Sequence, residues 1–343
     1  MKEAMFYEGI EGGRVRCFLC AHGCVVGEGK RGICAVRENR GGRLYTLVYG
    51  KLVAMNVDPI EKKPLFHFLP GSRTLSIAAA GCNFRCEHCQ NYEISQFPRE
   101  RPDVEIPGIG TTPETVVEAA IERGCRSISY TYTEPTIFLE FALDCARLAR
   151  ERGIKNVFVS NGFMTAESAV AAAAFLDANN IDLKGDERLY RDICRARVAP
   201  VKETLRLMRE KDVWVEVTTL IIPGLNDSME TLGEIARFIV SVDPFIPWHV
   251  SRFHPDYKLM DRPATPPAVV KKAREIGLEA GLRHVYTGNI PGGDGEATFC
   301  PSCGARVISR SGYFIGYVRL DEKGTCPSCS GRLRGVWDSE PEK

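Results

Sequence analysis

The chain has 343 residues, a net charge of +1 and 44% hydrophobic residues. That length suits one large α/β domain with small appendages, and the apolar content is ample for a buried core. Near-neutral charge supplies no global field for nucleic acid or an acidic membrane surface. No apolar run approaches a bilayer span, and the first twelve residues hold no signal-peptide core. Fourteen cysteines grouped at metal-type spacings point to a reducing, cytoplasmic setting instead of disulfides.

Cysteine pattern divides the chain into residues 1–70, 71–295 and 296–343. The first region carries Cys17, Cys20, Cys24 and Cys34 as C-x2-C-x3-C-x9-C. Four thiols on that spacing can close round a structural zinc ion or hold a second iron–sulfur cluster. A strand-like stretch follows from Leu44 to Val57.

The second region opens with Gly81-Cys82-Asn83-Phe84-Arg85-Cys86-Glu87-His88-Cys89, directly after an apolar run. Three soft thiolates as C-x3-C-x2-C can each hold one iron of a [4Fe–4S] cube, leaving the fourth iron open to a small molecule. A closed zinc site wants four ligands and fits this lone triplet poorly. Short apolar, β-branched runs then predict strands at Leu75–Ala79, Arg126–Tyr132, Asn156–Ser160, Ile181–Lys184, Val213–Leu220 and His249–Phe253. Between them, Thr112 can cap a helix that starts at Pro113, buries Val116, Val117, Ala120 and Ile121, and stops at Gly124. Phe138, Phe141, Cys145 and Leu148 stripe the next helix. Ala169 to Leu176 reads as a core helix. Later stripes carry Leu205 and Met208, then Leu232, Ile235 and Ile239, then Val270, Ala273 and Ile276. Repeated strand–helix units predict a parallel sheet with outer helices, a barrel or part of one, with reactive groups at the C-terminal strand ends.

In the third region Cys300-x2-Cys303 and Cys326-x2-Cys329 flank a predicted hairpin from Val307 to Leu320. The pattern is that of a two-knuckle zinc ribbon, a closed four-thiolate Zn2+ site. Six Lys/Arg face two Asp/Glu between Arg306 and Trp337, so the ribbon is mildly basic. Tyr313, Phe314 and Tyr317 are expected in its small core, with base stacking as the other reading. Cys125, Cys145 and Cys194 have no metal spacing, and Cys145 reads as core.

The cluster loop and the strand ends together resemble radical S-adenosylmethionine (SAM) enzymes of the pyruvate formate-lyase activating type. The phrases Gly29-Lys30-Arg31-Gly32-Ile33-Cys34, Asp58-Pro59-Ile60-Glu61-Lys62-Lys63-Pro64 and Val285-Tyr286-Thr287-Gly288-Asn289-Ile290-Pro291-Gly292 make the chain similar to the radical SAM member of the AmmeMemoRadiSam group. The resemblance implies a partial (β/α)6 TIM-like barrel between two small metal-binding modules of four cysteines each. It implies SAM on the open iron, reductive SAM cleavage to a 5′-deoxyadenosyl radical and hydrogen abstraction, with Cys82, Cys86, Cys89 and Lys184 as catalytic residues. Glu134, in Tyr132-Thr133-Glu134, stands where relatives have a Gly-Gly-Glu turn holding the SAM amino group; a helix N-terminal carboxylate is the alternative. Ser160 and Asn161 can donate to SAM, or form a plain Asn-Gly turn with Gly162. Asp182 and Lys184 share a strand face and are placed beside SAM and substrate, compatibly with a mutual salt bridge. His88 packs on the adenine, and His249 contacts SAM or substrate or is a structural histidine. Auxiliary clusters in such enzymes follow the main motif, which makes zinc the first expectation for Cys17, Cys20, Cys24 and Cys34. The implied partners are an electron donor such as flavodoxin or ferredoxin and Memo-like proteins.

Two further readings compete. One is an RNA-modifying radical SAM enzyme that holds its substrate with the ribbon. The other is a non-catalytic, metal-rich nucleic-acid-binding scaffold, which the near-zero net charge disfavours.

Overall fold

A computed structural model describes residues 1–290 and 293–337. Pro291 and Gly292, which end the phrase from Val285, lie outside the described residues, as do residues 338–343 of the ribbon region. One eight-stranded sheet organises the chain. Its strand β1 (Ala54–Pro59) runs antiparallel to β2 (Arg73–Ala78). Parallel strands follow in chain order: β3 (Ser127–Tyr130), β4 (Lys155–Ser160), β5 (Ala178–Asp182), β6 (Trp214–Ile221), β7 (Trp248–Arg252) and β8 (Val285–Gly288). Spatial order equals chain order, as consecutive right-handed crossovers produce.

A long helix follows each strand from β2 to β7. These are α1 (Pro113–Glu122), α2 (Leu139–Glu151), α3 (Ala166–Ala173), α4 (Val198–Glu210), α5 (Met229–Val242) and α6 (Pro267–Glu279). The result is six strand–helix units with one extra strand at each edge. All six expected strands are present, but the fourth is shifted: β5 spans Ala178–Asp182 and leaves Leu183 and Lys184 beyond its end. The last edge strand, β8, is only four residues long and sits in a phrase too short to show a period of two.

The local chemistry explains the helices. Thr112 accepts from the Thr115 N–H at 3.3 Å and caps α1, Pro113 stands at its first position, and Gly124 ends the turn at φ 61°. Val116, Val117 and Ala120 are buried as expected, but Ile121 is 39% exposed because it lies at the edge of the apolar stripe. Phe141 and Cys145 of α2, Leu205 and Met208 of α4, and Leu232, Ile235 and Ile239 of α5 are buried, as are Val270, Ala273 and Ile276 of α6. The stretch expected as one strand from Leu44 is broken into Arg43–Thr46, Lys51–Leu52 and β1. Gly50 causes the break: it has φ 66°, and a Cβ there would meet the Thr111 carbonyl at 2.6 Å. Through β1 the sheet reaches back to Ala54.

The N-terminal module is two small three-stranded antiparallel sheets. Its Val15, Val36 and Leu44 share one apolar core with the barrel. Arg37, 1% exposed, pairs with Glu140 of α2. At the other end, β9 (Arg306–Ser311) and β10 (Phe314–Val318) form the ribbon hairpin. Arg310 docks it: Nη2 donates to the Phe66 carbonyl at 2.6 Å, and the guanidinium lies 4.3 Å from the Phe66 ring centre. Among the described residues, no helix is long and apolar enough to cross a membrane.

Candidate active site at the C-terminal ends of the strands

The loop after β2 carries Cys82, Cys86 and Cys89 into the mouth of the sheet. Its backbone is fastened on several sides. Arg85 and Glu87 donate their N–H groups to the Cys194 and Ile193 carbonyls at 3.0 and 3.2 Å. The Arg99 guanidinium donates to the Cys82 carbonyl at 2.9 Å, and Gln96 donates to the Phe84 carbonyl at 3.3 Å. The sulfurs also meet donors: the Phe84 N–H lies 3.3 Å from Cys82 Sγ, and the Ser95 hydroxyl 3.2 Å from Cys89 Sγ. Burial pushes the Cys82 and Cys89 thiols up, so each sheds a proton when a metal binds it.

A cavity of about 520 Å³ opens over these thiols, within the range of a cofactor-sized ligand. It brings together Cys82, Cys86, His88, Cys89, Glu134, Ser160, Asn161, Asp182 and Lys184. His249 lies apart from it. That imidazole is 4% exposed, bonds Glu216 Oε2 through Nε2 at 2.6 Å, and lines a second cavity of about 670 Å³. The pleat of β7 puts Ser251 on the same face as His249, and Ser251 borders both cavities.

Glu134 is 2% exposed. Its Oε1 accepts from Thr136 N at 3.0 Å, Thr136 Oγ1 at 2.6 Å and Ser160 Oγ at 2.8 Å, and its Oε2 accepts from Asn161 N at 2.7 Å. Both uses of this carboxylate coexist, since it caps the short turn Pro135–Phe138 and still faces the cavity. Burial raises its pKa, and the four bonds work against that rise. Asn161 donates from Nδ2 to Asn83 Oδ1 at 2.7 Å and accepts the Phe163 N–H at 3.0 Å, tying the β4 turn to the cluster loop. Gly162 completes that turn at φ 68°.

Asp182 and Lys184 form an ion pair at 2.6 Å. Burial alone would lower the lysine pKa, but Asp182, Cys86 and Cys194 more than offset it, so Lys184 stays charged. His88 is held down to about 3 by burial and by the Lys184 charge, so the ring is neutral. Its Nδ1 is buried with no partner, an atom left for a ligand in the cavity. This orphaned nitrogen, the donors on the sulfurs and the soft thiolate set fit an iron–sulfur cluster with a polar organic co-ligand.

Several participants carried no sequence signal. Lys62 and Lys63 line the cavity, and each donates to Asp58 at 2.8 Å. Tyr132 OH also bonds Asp58, from a residue at φ 64° where a glycine would be unstrained. The phrase Asp58 to Pro64 held the two lysines, and Tyr132 stood in the strand end that carries Glu134. Cys194, without metal spacing, is buried against Cys86. Tyr313 and Phe314 are 49% and 81% exposed and do not form the ribbon core expected of them. That core is Val307, Ile308 and Leu333 with Ile315 and Trp337, while Tyr313 reaches out to border both cavities. In the ribbon itself, Cys300–Cys329 and Cys303–Cys326 sulfurs stand 3.7 and 3.8 Å apart. All four converge within 4.8 Å, as ligands of one metal ion do.

Fold and site define a radical SAM protein, and the chain belongs to the radical SAM superfamily, whose family model matches residues 76–239. It is similar to MJ0808, an uncharacterized protein of Methanocaldococcus jannaschii, at 48% identity over 335 residues, 97% of this chain and 99% of that one. Among solved structures it is similar to a radical SAM methyltransferase from Sphaerobacter thermophilus, with TM-score 0.51 and 15% identity over 64% of this chain and 67% of that one. It is also similar to Streptococcus suis SuiB bound to the precursor peptide SuiA, with TM-score 0.50 and 13% identity over 68% of this chain and 51% of that one. These two likenesses are of fold.

Proposed function

We propose that the protein is a radical SAM enzyme that abstracts hydrogen from a substrate held in the second cavity. A [4Fe–4S] cluster on Cys82, Cys86 and Cys89, with SAM on its open iron, supplies a 5′-deoxyadenosyl radical by one-electron reductive cleavage. The observation that carries the reading is the shared cavity of three thiols, a buried carboxylate and an unpartnered imidazole. Glu134 would take the SAM ammonium, its Oε2 holding one protein hydrogen bond, from the Asn161 N–H. Ser160 and Asn161 set the angle of that carboxylate, and His88, which lines the same cavity, would pack on the adenine. Lys184, fixed by Asp182 beside Cys86, offsets negative charge at the cluster.

The two cavities share Lys62, Ser251, Asn289 and Tyr313, so a substrate in the second would lie next to whatever the first holds. Phe66, His249 and Phe314 give the second an aromatic wall. The likeness to activating enzymes makes a protein segment the first substrate to try, the phrases similar to the AmmeMemoRadiSam group make a product formed with a Memo-like partner the other, and flavodoxin or ferredoxin is the reductant in either case. The exposed Tyr313–Phe314 pair on a basic ribbon supports RNA as the second reading. The ribbon quartet binds Zn2+ in a closed structural site. Anaerobic reconstitution with iron, sulfide, dithionite and SAM tests the core claim. Wild type yields 5′-deoxyadenosine and the Cys86→Ala variant none; an intact cluster whose spectrum SAM does not perturb would overturn the reading. Mass spectrometry of RNA from deletion and wild-type cells separates the two substrate classes.

A further inference from the structure

The N-terminal cysteines face one another without closing tightly. Cys20 lies close enough to Cys17, Cys24 and Cys34 to feel the charge of all three. Yet among the described residues only the ribbon quartet gathers three or more metal-ligating atoms within 4.8 Å. A zinc tetrahedron with bonds of about 2.3 Å needs sulfurs ~3.8 Å apart. The ribbon meets that spacing, and the N-terminal set is wider. Cys82, Cys86 and Cys89 are wide in the same way, as thiolates on separate irons of one cluster must be.

Position points the same way. His22, between Cys20 and Cys24, bonds the Asn83 carbonyl of the active-site loop at 2.8 Å. Arg99 joins the two ligand-bearing segments, donating from one nitrogen to the Ile33 carbonyl at 2.7 Å and the Cys82 carbonyl at 2.9 Å. Gly81 packs so closely that a Cβ there would stand 3.3 Å from the Cys34 carbonyl and 2.7 Å from Val36 Cγ1. Close packing of this kind shortens the path between two metal groups. A cationic donor is already in place as well. Arg37 directs Nη1 to Cys17 Sγ at 3.4 Å, and its buried Nε has no partner. A cluster with four thiolate ligands carries net negative charge and is stabilised by such a group.

We propose that Cys17, Cys20, Cys24 and Cys34 bind a second iron–sulfur cluster that passes single electrons to the active-site cluster. The relay rests on the radical SAM reading for its acceptor. A low-potential one-electron carrier of the flavin or iron–sulfur class reduces the N-terminal cluster by one electron. That electron moves to the active-site cluster, and the N-terminal cluster returns to its oxidised state. No bond or proton changes hands in the relay.

The test uses full-length protein purified without oxygen and reconstituted with iron and sulfide. In the Cys82→Ala/Cys86→Ala/Cys89→Ala variant we expect about half the wild-type iron and acid-labile sulfide to remain. Its dithionite-reduced paramagnetic signal should be unmoved by SAM. A variant with no iron and two zinc ions per chain would overturn the second cluster. This count stands even where wild type lacks a SAM-sensitive signal, which would sink the radical SAM reading instead. For the relay, Cys24→Ser, a milder change, should slow reduction of the active-site cluster by reduced flavodoxin severalfold while leaving its SAM-sensitive signal in place. An unchanged rate would overturn the relay.

Discussion

Four donors converge on the Glu134 carboxylate, and that convergence fixes its position in a place where an isolated charge would be costly. In Glu134→Gln the amide nitrogen cannot accept, so at least one donor loses its partner. We expect SAM affinity of the reconstituted protein to fall about tenfold, ~1.4 kcal/mol, with cluster iron unchanged, read by titration calorimetry. Lys63 is the titrating residue of the site. Burial brings it from 10.5 to about 8, against the pull of Asp58. Burial penalises the charged lysine, so its cost to stability is full below pH 8 and is relieved as pH climbs towards 10.5. Across that window the wild type gains stability relative to Lys63→Met in denaturant melts. A difference independent of pH would show that Lys63 does not titrate there. The thiols, Glu134 and the Asp182–Lys184 pair were legible as residues. Lys62 and Lys63 were not, because a lysine becomes a site residue only once the fold brings it to the cavity.

At the scale of elements, strand ends and turns deliver every site residue. Cys82 follows β2, Glu134 follows β3, Ser160 and Asn161 close β4, and Asp182 ends β5. The joint after β2 is the most constrained of these. Gly81 stands at φ 110° against Val36. Gly81→Ala should displace the cluster loop, lowering bound iron and costing about 1–3 kcal/mol, measured by iron content and thermal melts. The motifs at these ends were readable because a period of two and a capping residue are local signals. Strand β8 and the broken stretch before β1 were not. One is too short to show a period, and the other is cut by a contact between Gly50 and Thr111, a residue far along the chain.

The whole molecule is held together by buried charge as well as by its core. Arg310 and Glu61, both fully buried, lie 3.9 Å apart where the ribbon meets the barrel. Arg310→Met leaves that carboxylate without its cation, and a loss of about 3–5 kcal/mol is expected in chemical denaturation. The ribbon carries Tyr313 to the rim of both cavities, so a metal held by its four cysteines would support the second cavity from a distance. In Cys303→Ser/Cys329→Ser, SAM cleavage without substrate should persist while hydrogen abstraction from the substrate is lost. Deuterium transfer into 5′-deoxyadenosine reads the second step separately from the first.

The sequence by itself determined the chemistry of the ligands. Cysteine spacing is a property of a few consecutive residues, and so are strand alternation and helix caps, which is why the cluster loop, the ribbon and six strands could be read directly. Only the tertiary structure decided which groups meet. Folding set His249 on Glu216 in the second cavity instead of the first and brought Cys194 against Cys86. It also turned Tyr313 outward and laid the N-terminal cysteines beside the active-site loop. Those contacts join residues far apart in the chain, and burial and charge pairing across such distances arise only when the sheet has curled its strand ends together.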